Sequence, residues 1–406
     1  MNTYISILLN LPLNINIRYS PKTKLIQVLN NITPAQRTWK IFKQNKSALL
    51  GALIIIVAVL TAVLGYAIMP DDSPNANNMN LPLSLKKPGA RFHILLIPKT
   101  EKIDKVNFLS KMFLGQPALN QELPVTSYQF KGDSLIVYVY LSDEDKPERK
   151  AYLLTQIVPH YKNTPADKSR FIREHFTSKT FLLGTDVYGR DLLSRIILGA
   201  RISLSVGLMA VLISLLIGVT VGALAGYYGG RLDAALSWLM NILWSLPALL
   251  LVIALSFALG KGLWQIFIAV GLSMWVEAAR LVRGQVISLK QAEYIEAAKA
   301  LGYTNARIIT RHILPNMIGP VLVIASSNFA SAILLEAGLS FLGFGAQPPV
   351  PTWGGMIREH YGYIIMDAAY LAVLPGLAIM LMVYAFNLVT TGLRDAFDIK
   401  SQNVRL

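Results

Sequence analysis

Five runs of this sequence carry no charged residue over a length sufficient to cross a lipid bilayer: Ser47 to Pro70, Ile202 to Gly230, Ala234 to Gly260, Ile313 to Leu335 and Ala368 to Leu393. A hydrocarbon core takes about 20 apolar residues as a helix. No water is available there to satisfy a free backbone N–H or C=O, so a spanning segment must pair its polar groups internally. A sixth run, Gly262 to Val276, is shorter and crosses only if its helix continues through Glu277 into AARLV, leaving Glu277 and Arg280 to snorkel near an interface. The expectation is an all-α integral membrane protein with six transmembrane helices. Composition agrees: 53% of residues are hydrophobic and 15% charged, against about 25% charged in soluble domains.

The net charge of +15 gains meaning from its location. Arg18, Lys22, Lys24, Arg37, Lys40, Lys43 and Lys46 precede the first span without one acidic residue, which places the N-terminus in the cytoplasm. Alternation puts Asp71 to Arg201 outside, the GGRLD turn inside, Lys261 outside, Glu277 to His312 inside, Glu336 to Asp367 outside and the tail from Arg394 inside. Basic residues are thus topology determinants, and nucleic acid is not an expected partner. The stretch MNTYISILLNLPLNINIRY lacks the basic n-region of a removable signal peptide. With no cysteine in the chain, disulfides, thiolate metal sites and cysteine nucleophiles are excluded.

Between the fourth and fifth spans the chain turns polar and alanine-rich over EYIEAAKALGYTNARIITRHILPN, Glu293 to Asn316. Strong helix formers end at Gly302, which can adopt the left-handed conformation that terminates a helix. Thr304 or Asn305 can cap a second short helix running toward Leu314 and Pro315. Small residues at Ala297, Ala298 and Ala300 would let another protein approach, with Glu296 offering it a carboxylate, and an ordinary solvated amphipathic loop is the alternative on chemistry alone.

On the opposite side, Thr185 or Asp186 can cap a helix whose Arg190, Asp191 and Arg195 can pair on adjacent turns, either as a plain amphipathic interfacial helix or as a gate or docking surface. GAQPPVPTWGG, stiffened by Pro348, Pro349 and Pro351, reads as an external floor with Trp353 at an interfacial position. In the second span Gly218, Gly222 and Gly226 repeat every four residues, a spacing that admits a neighbouring helix. Pro247, Pro320 and Pro375 fall inside the third, fifth and sixth spans and are expected to bend them. The segment after the first span is expected to fold: SYQFKGDSLIVYVYL alternates about a KGD turn as a hairpin would, and KAYLLTQIV offers another strand. A small α+β domain from about Leu81 to Lys168 is the expectation, with Tyr138, Tyr140 and Tyr152 available either for contact with a partner or for local packing.

These residues resemble a family. EAAKALG followed by ILPN is similar to the EAA loop of ABC importer permeases, with Glu296, Ala297, Ala298, Gly302, Leu314 and Pro315 at pattern positions. LGTDVYGRDLLSRIILGARISLSVG, GYYGGRLD, GLSFLGFGAQPPVPTWGGMI and AFNLVTTGLRDAFD resemble the second-type, or C, permease subunit of dipeptide, oligopeptide and nickel importers. Two positions depart from the pattern, His312 where isoleucine is usual and Ile399 where proline is usual. A larger departure is the insertion after the first span.

The resemblance implies the type I ABC importer permease fold with a small α+β extracytoplasmic insertion. It implies residues 1–46 as a cytoplasmic segment, 47–70 as the first span, 71–180 as the insertion, 181–393 as the permease domain with coupling loop 290–315, and 394–406 as a cytoplasmic tail. Implied partners are a second homologous permease in a heterodimer, two ABC ATPase subunits, an extracytoplasmic substrate-binding protein and the lipid of a bacterial inner membrane. Such a permease holds no cofactor or metal; ATP and Mg belong to the ATPases. The sequence is consistent with that division, since no GxxxxGK[ST] phosphate loop occurs. Implied cargo is di- or oligopeptides, with nickel or another small chelate as the alternative. A secondary transporter would need ionisable residues deep in the spans, and a membrane hydrolase an HExxH or GxSxG pattern; the first are nearly absent and the second absent from the sequence.

Overall fold

A computed structural model of the protein describes residues 33–99, 106–158, 161–260 and 262–398. Arg18, Lys22, Lys24, Lys261 and Ile399, used above for topology and motif matching, lie outside the described residues. Thr33 and Gln36 form a capping box that starts α1 (Pro34–Gln44). Asn45 then caps α2 (Lys46–Ile68), the first long apolar helix, and its amide also reaches Asp395 near the other end of the chain, at 3.3 Å.

The insertion is a five-stranded antiparallel sheet in the order β4-β3-β2-β1-β5. Its strands are β1 (Ala90–Pro98), β2 (Asn120–Lys131), β3 (Ser134–Val139), β4 (Glu148–Leu153) and β5 (Phe176–Phe181). The short helix α3 (Phe108–Leu114) precedes β2, while α4 (Leu154–Ile157) and α5 (Pro165–His175) lie between β4 and β5. The expected hairpin forms about Gly132 and Asp133, with Lys131 opposite Ser134. Alternation sends Leu135, Val137 and Val139 to one face, where they pack with Leu154, Ile157 and Phe171. Ile94 and Phe181 pack with Leu83 in a separate cluster that includes Tyr140. The sheet continues past Lys168, because β5 pairs with β1 along the sheet's edge. Tyr140 and Tyr152 are absorbed by local packing, leaving Tyr138 exposed.

From β5 the chain enters α6 (Leu192–Tyr228), one unbroken helix of 37 residues, about 55 Å long at 1.5 Å per residue. Its cap is Asp191, which accepts from the Ser194 N–H, rather than Thr185 or Asp186. The helix continues straight into the second apolar run, so the outer motif and the span are a single rod. The third apolar run is two helices, α7 (Gly230–Ser245) and α8 (Ala248–Leu259), bent by 97°. Proline at 247 explains the break: it disfavours helical backbone in the residue before it, and Leu246 is extended at φ −84°, ψ 135°. The run Ala234 to Gly260, expected as a single crossing, is therefore a sharply bent helix pair, the shape of a broken span or of a re-entrant loop.

Helix α9 (Leu263–Leu289) runs through Glu277 and Arg280 as expected. After α10 (Glu293–Ala300) and α11 (Asn305–Ile308), irregular helical turns lead into α12 (Ile318–Leu342). Pro320 sits in the first turn of α12, within the long helical span Asn305–Leu342 and just after the irregular turns over 309–317. Pro375 does lie inside α14 (Tyr370–Phe397), which follows α13 (Trp353–His360). Among the described residues five helices are long and apolar enough to cross a membrane, or six when the bent pair counts as one. Glu336, expected in an outer loop, is buried inside α12 because that helix runs on to Leu342; it accepts from Ser203 at 3.1 Å and Ser340 at 2.7 Å.

The centre of the bundle is the α6–α9 contact. A methyl group at Gly218 would lie 2.7 Å from Ala278 Cβ and one at Gly226 2.8 Å from the Arg283 carbonyl oxygen, while one at Gly222 would overlap the Ala279 carbonyl. The four-residue repeat therefore lets two backbones touch. Gly222→Leu should lower the thermal unfolding midpoint of the purified chain in detergent, with an overpacking cost of about 1–3 kcal/mol. Gly284→Ala, where a Cβ meets nothing within 4 Å, should leave the midpoint unchanged or slightly raised.

Candidate functional site

At one end of α6 the polar stretch folds into a knuckle. Helix α10 ends at Leu301 and Gly302, whose φ of +75° is the left-handed region expected there. A Cβ at Gly302 would meet nothing within 4 Å, so the backbone angle and not crowding demands glycine. Thr304 caps α11. Ile295, Ala298, Ile308, Ile309, Ile313 and Met317 point inward and pack on Ala223 and Tyr227 of α6 and Val282 and Val286 of α9. Tyr227 also donates its hydroxyl to Asn305 at 2.8 Å. Behind the knuckle, Arg283 forks onto both oxygens of Asp233 at 2.6 and 2.7 Å, fastening α7 to α9.

The outward face carries Glu296, Ala297, Ala300, Gly302 and Pro315, with Leu314 half-buried. Ala298 is buried, so its small size serves internal packing and not the approach of a partner. Leu301, passed over in the sequence reading, projects from the tip and is 72% exposed. An apolar residue directly before a helix-terminating glycine was the available signal. His312 stacks on Tyr303 at a centroid distance of 5.8 Å, and Arg307 covers the same ring at 4.2 Å. This ring cluster gives the unusual histidine a packing role.

At the other end of α6 the acidic and basic motif residues form a buried lock. Asp186 accepts from the backbone N–H of Tyr188 and Arg190 and from Arg190 Nε at 2.5 Å. Arg190 continues to Glu359 of α13 at 2.9 Å and to Asn77 at 3.2 Å. Arg195 lies 3.6 Å from Asp186 and 3.5 Å from Glu359. Asp191 accepts from both the N–H and the hydroxyl of Ser194, and that hydroxyl in turn accepts from the Asp71 N–H at 2.9 Å. Burial pushes the Asp191 carboxyl above the usual carboxylate range. Trp353 is buried, with its indole N–H donating to the Ile196 carbonyl at 3.0 Å and its ring against Gly199.

This geometry corrects the outer-surface reading. Asp186, Arg190, Asp191 and Arg195 are buried and offer no docking face, and Trp353 is a core plug instead of an interfacial anchor. Of that group only Pro348 and Pro349 are exposed. Glu359, Asn77 and His360 were missed because their partners lie far away in sequence. Asp186, Glu359 and His360 bring ligand-type atoms within 4.8 Å of one another, but both carboxylates already face guanidinium groups that would repel a cation. Burial holds the His360 imidazole below its ordinary range, and its Nδ1 faces the Met356 carbonyl at 2.7 Å.

One end of α6 thus carries an exposed face on a packed base and the other a buried charge cluster. Residues 218–401 match the family model of the binding-protein-dependent transport system inner membrane component, and residues 33–87 match the N-terminal transmembrane domain of oligopeptide transport permease C. The dipeptide transport system permease protein DppC of Alkalihalophilus pseudofirmus is 46% identical over 220 residues, 54% of this chain and 72% of that protein. The glutathione transport system permease protein GsiD of Pectobacterium atrosepticum is 44% identical over 55% of this chain and 74% of its own. The oligopeptide transport system permease protein OppC of Escherichia coli K12 is 46% identical over 54% of this chain and 72% of its own. The chain belongs to the binding-protein-dependent permease family of ABC importers; it is a multi-pass membrane permease subunit and not itself an enzyme. Membership carries partnership with ATPase subunits and a substrate-binding protein.

Arg190→Met leaves Asp186 and Glu359 without their closest buried countercharge. It should destabilise the chain by about 3–5 kcal/mol, the range for breaking a buried ion pair. The readout is a lower thermal midpoint in lipid nanodiscs. Glu359→Gln, at the half-exposed edge of the lock, should cost less.

Proposed function

We propose that this chain forms one half of the translocation path of a peptide importer in a bacterial inner membrane, paired with a second, homologous permease. Its termini lie in the cytoplasm and the sheet domain lies outside. ATP and Mg are bound by two ATPase subunits that grip the knuckle through Glu296, Ala297, Leu301 and Gly302. The observation that carries this reading is the mounting of the knuckle: its inner face is packed onto α6 and α9, while α6 ends at the opposite side in the buried lock. A push on the exposed face is delivered to a rod about 55 Å long, and rigid-body tilting is the response such packing allows. Similarity to dipeptide, glutathione and oligopeptide permeases supports small peptides as cargo. The sheet domain, roped at Thr185 to the carbonyl of Leu83 and the N–H of Lys86, is placed to orient a cargo-loaded binding protein over the path.

Gly302→Val forces a β-branched residue into the left-handed region at about 1–2 kcal/mol, and Glu296→Lys reverses the charge on the gripped face. In the assembled importer both should leave membrane insertion intact while releasing ATP hydrolysis from peptide uptake, seen as uptake falling far more than ATPase rate. Wild-type uptake in both variants would remove the coupling role. Reporter fusions at Lys46, Asp145, Lys290 and the C-terminus should read inside, outside, inside, inside; an external Lys290 would contradict the orientation.

A further inference from the structure

The helix α3, FLSKMFL, is out of place on a water-facing domain. Phe108, Leu109, Phe113 and Leu114 are 74, 68, 61 and 70% exposed. Four large apolar residues turned outward on two helical turns form a patch that soluble surfaces rarely tolerate. Of the polar groups of the same helix, Ser110 is exposed beside the apolar residues, while Lys111 and the C-terminal carbonyls are paired. Lys111 reaches back to Asp72 at 2.6 Å. The C-terminal carbonyls of Met112 and Phe113 accept from Arg201 at 3.1 and 3.4 Å, and the Arg201 guanidinium lies over the Phe113 ring at 5.2 Å.

The height of this helix along the bundle is set by two independent markers. Asp72, which holds Lys111 and whose carbonyl accepts from the Gln116 N–H at 2.8 Å, follows directly on the end of α2. Arg201, which holds the other end, is the last charge before the run Ile202 to Gly230. Both spans therefore place α3 at the edge of the hydrocarbon. The patch also continues an exposed apolar surface: Leu60, Val63, Leu64 and Ile68 of α2 are exposed along the outside of the bundle, and Tyr66 of α2 lies against the Gly115 turn that ends α3.

We infer that α3 is an interfacial foot, a short helix that beds its phenylalanines and leucines among the acyl chains and headgroups and so rests the sheet domain on the bilayer. Interfacial helices bury their apolar face about 5–10 Å into that boundary. Arg201 pairs the terminal carbonyls and Asp72 pairs Lys111, while the uncapped N-terminal turn and Ser110 can keep their polar groups at the hydrated headgroup level of such a boundary. The foot complements the tether at Thr185: the segment leading into β1 is bound beside the lock, and the helix leading into β2 rests on the membrane. A domain held at two points keeps a fixed tilt over the path.

The chain contains no cysteine, so in an importer whose other subunits are made cysteine-free a single nitroxide label reports without background. Leu109→Cys and Phe113→Cys, with Glu144→Cys in the exposed 141–147 loop as control, would be labelled in the complete importer reconstituted in nanodiscs. Collision rates with oxygen, which partitions into lipid, and with a water-soluble nickel chelate then report depth. The expected result is an oxygen-to-nickel ratio severalfold higher at 109 and 113 than at 144. Equal ratios at all three positions would place α3 in water and overturn the inference. Low collision with both reagents at 109 and 113 would mean that protein covers the helix, and would overturn it equally. ATP hydrolysis and uptake by the labelled assemblies verify that each variant is folded, and two separate positions guard against one label disturbing its own site.

Discussion

The backbone contact between α6 and α9 is the constraint on which the rest of the bundle depends. Lipid supplies no hydrophobic drive for two apolar helices to meet, so close packing has to provide the attraction. Gly218, Gly222 and Gly226 remove every side chain that would hold the helices apart. The knuckle is built on the surfaces that this contact brings side by side, with Ala223 and Tyr227 from one helix and Val282 and Val286 from the other. A permease that must pass on a push needs its receiving element attached to both helices at once. Packing at interior density resists compression, so displacement of the knuckle moves the pair as a unit.

The far end depends on a different interaction. Two arginines and Asp186 are withdrawn from solvent between α6 and α13, with Glu359 at the partly exposed rim. Such a cluster is weak evidence for stability, because desolvation opposes the attraction, yet it is costly to open partway. That asymmetry suits a closure with two discrete arrangements. Nearby, Glu336 is held by Ser203 and Ser340, with Thr352 bonding onward to Ser340 at 3.1 Å. Together the two polar groups link α6, α12 and the loop before α13.

The bent third apolar run introduces asymmetry into an otherwise regular bundle. Beside its 97° bend lies a cavity of about 460 Å³ lined by Trp244, Leu246, Ser273, Glu277 and Ser331 among others. Irregular backbone at membrane depth persists where it lines a cavity or is buried in protein. The bend thus opens space on one side of α9, while the glycine stripe closes it on the other.

The spans, the knuckle and the hairpin were legible because each is governed by local rules. Charge-free length marks a crossing, Gly302 marks a left-handed turn, and alternation about Gly132 marks paired strands. What the sequence alone determined is the class of molecule and the seats of these local structures, since backbone satisfaction in lipid and φ preferences act over a few neighbouring residues. Tertiary structure decided which of the charged residues face a partner and which face each other. Asp186, Arg190 and Arg195 read as surface because nothing nearby in sequence announces Glu359 or Asn77, separated from Arg190 by more than a hundred residues of chain. Ala298 looked like an open face until the curvature of the knuckle turned it inward. Burial and countercharge are properties of the assembled chain, set by elements that only packing brings together.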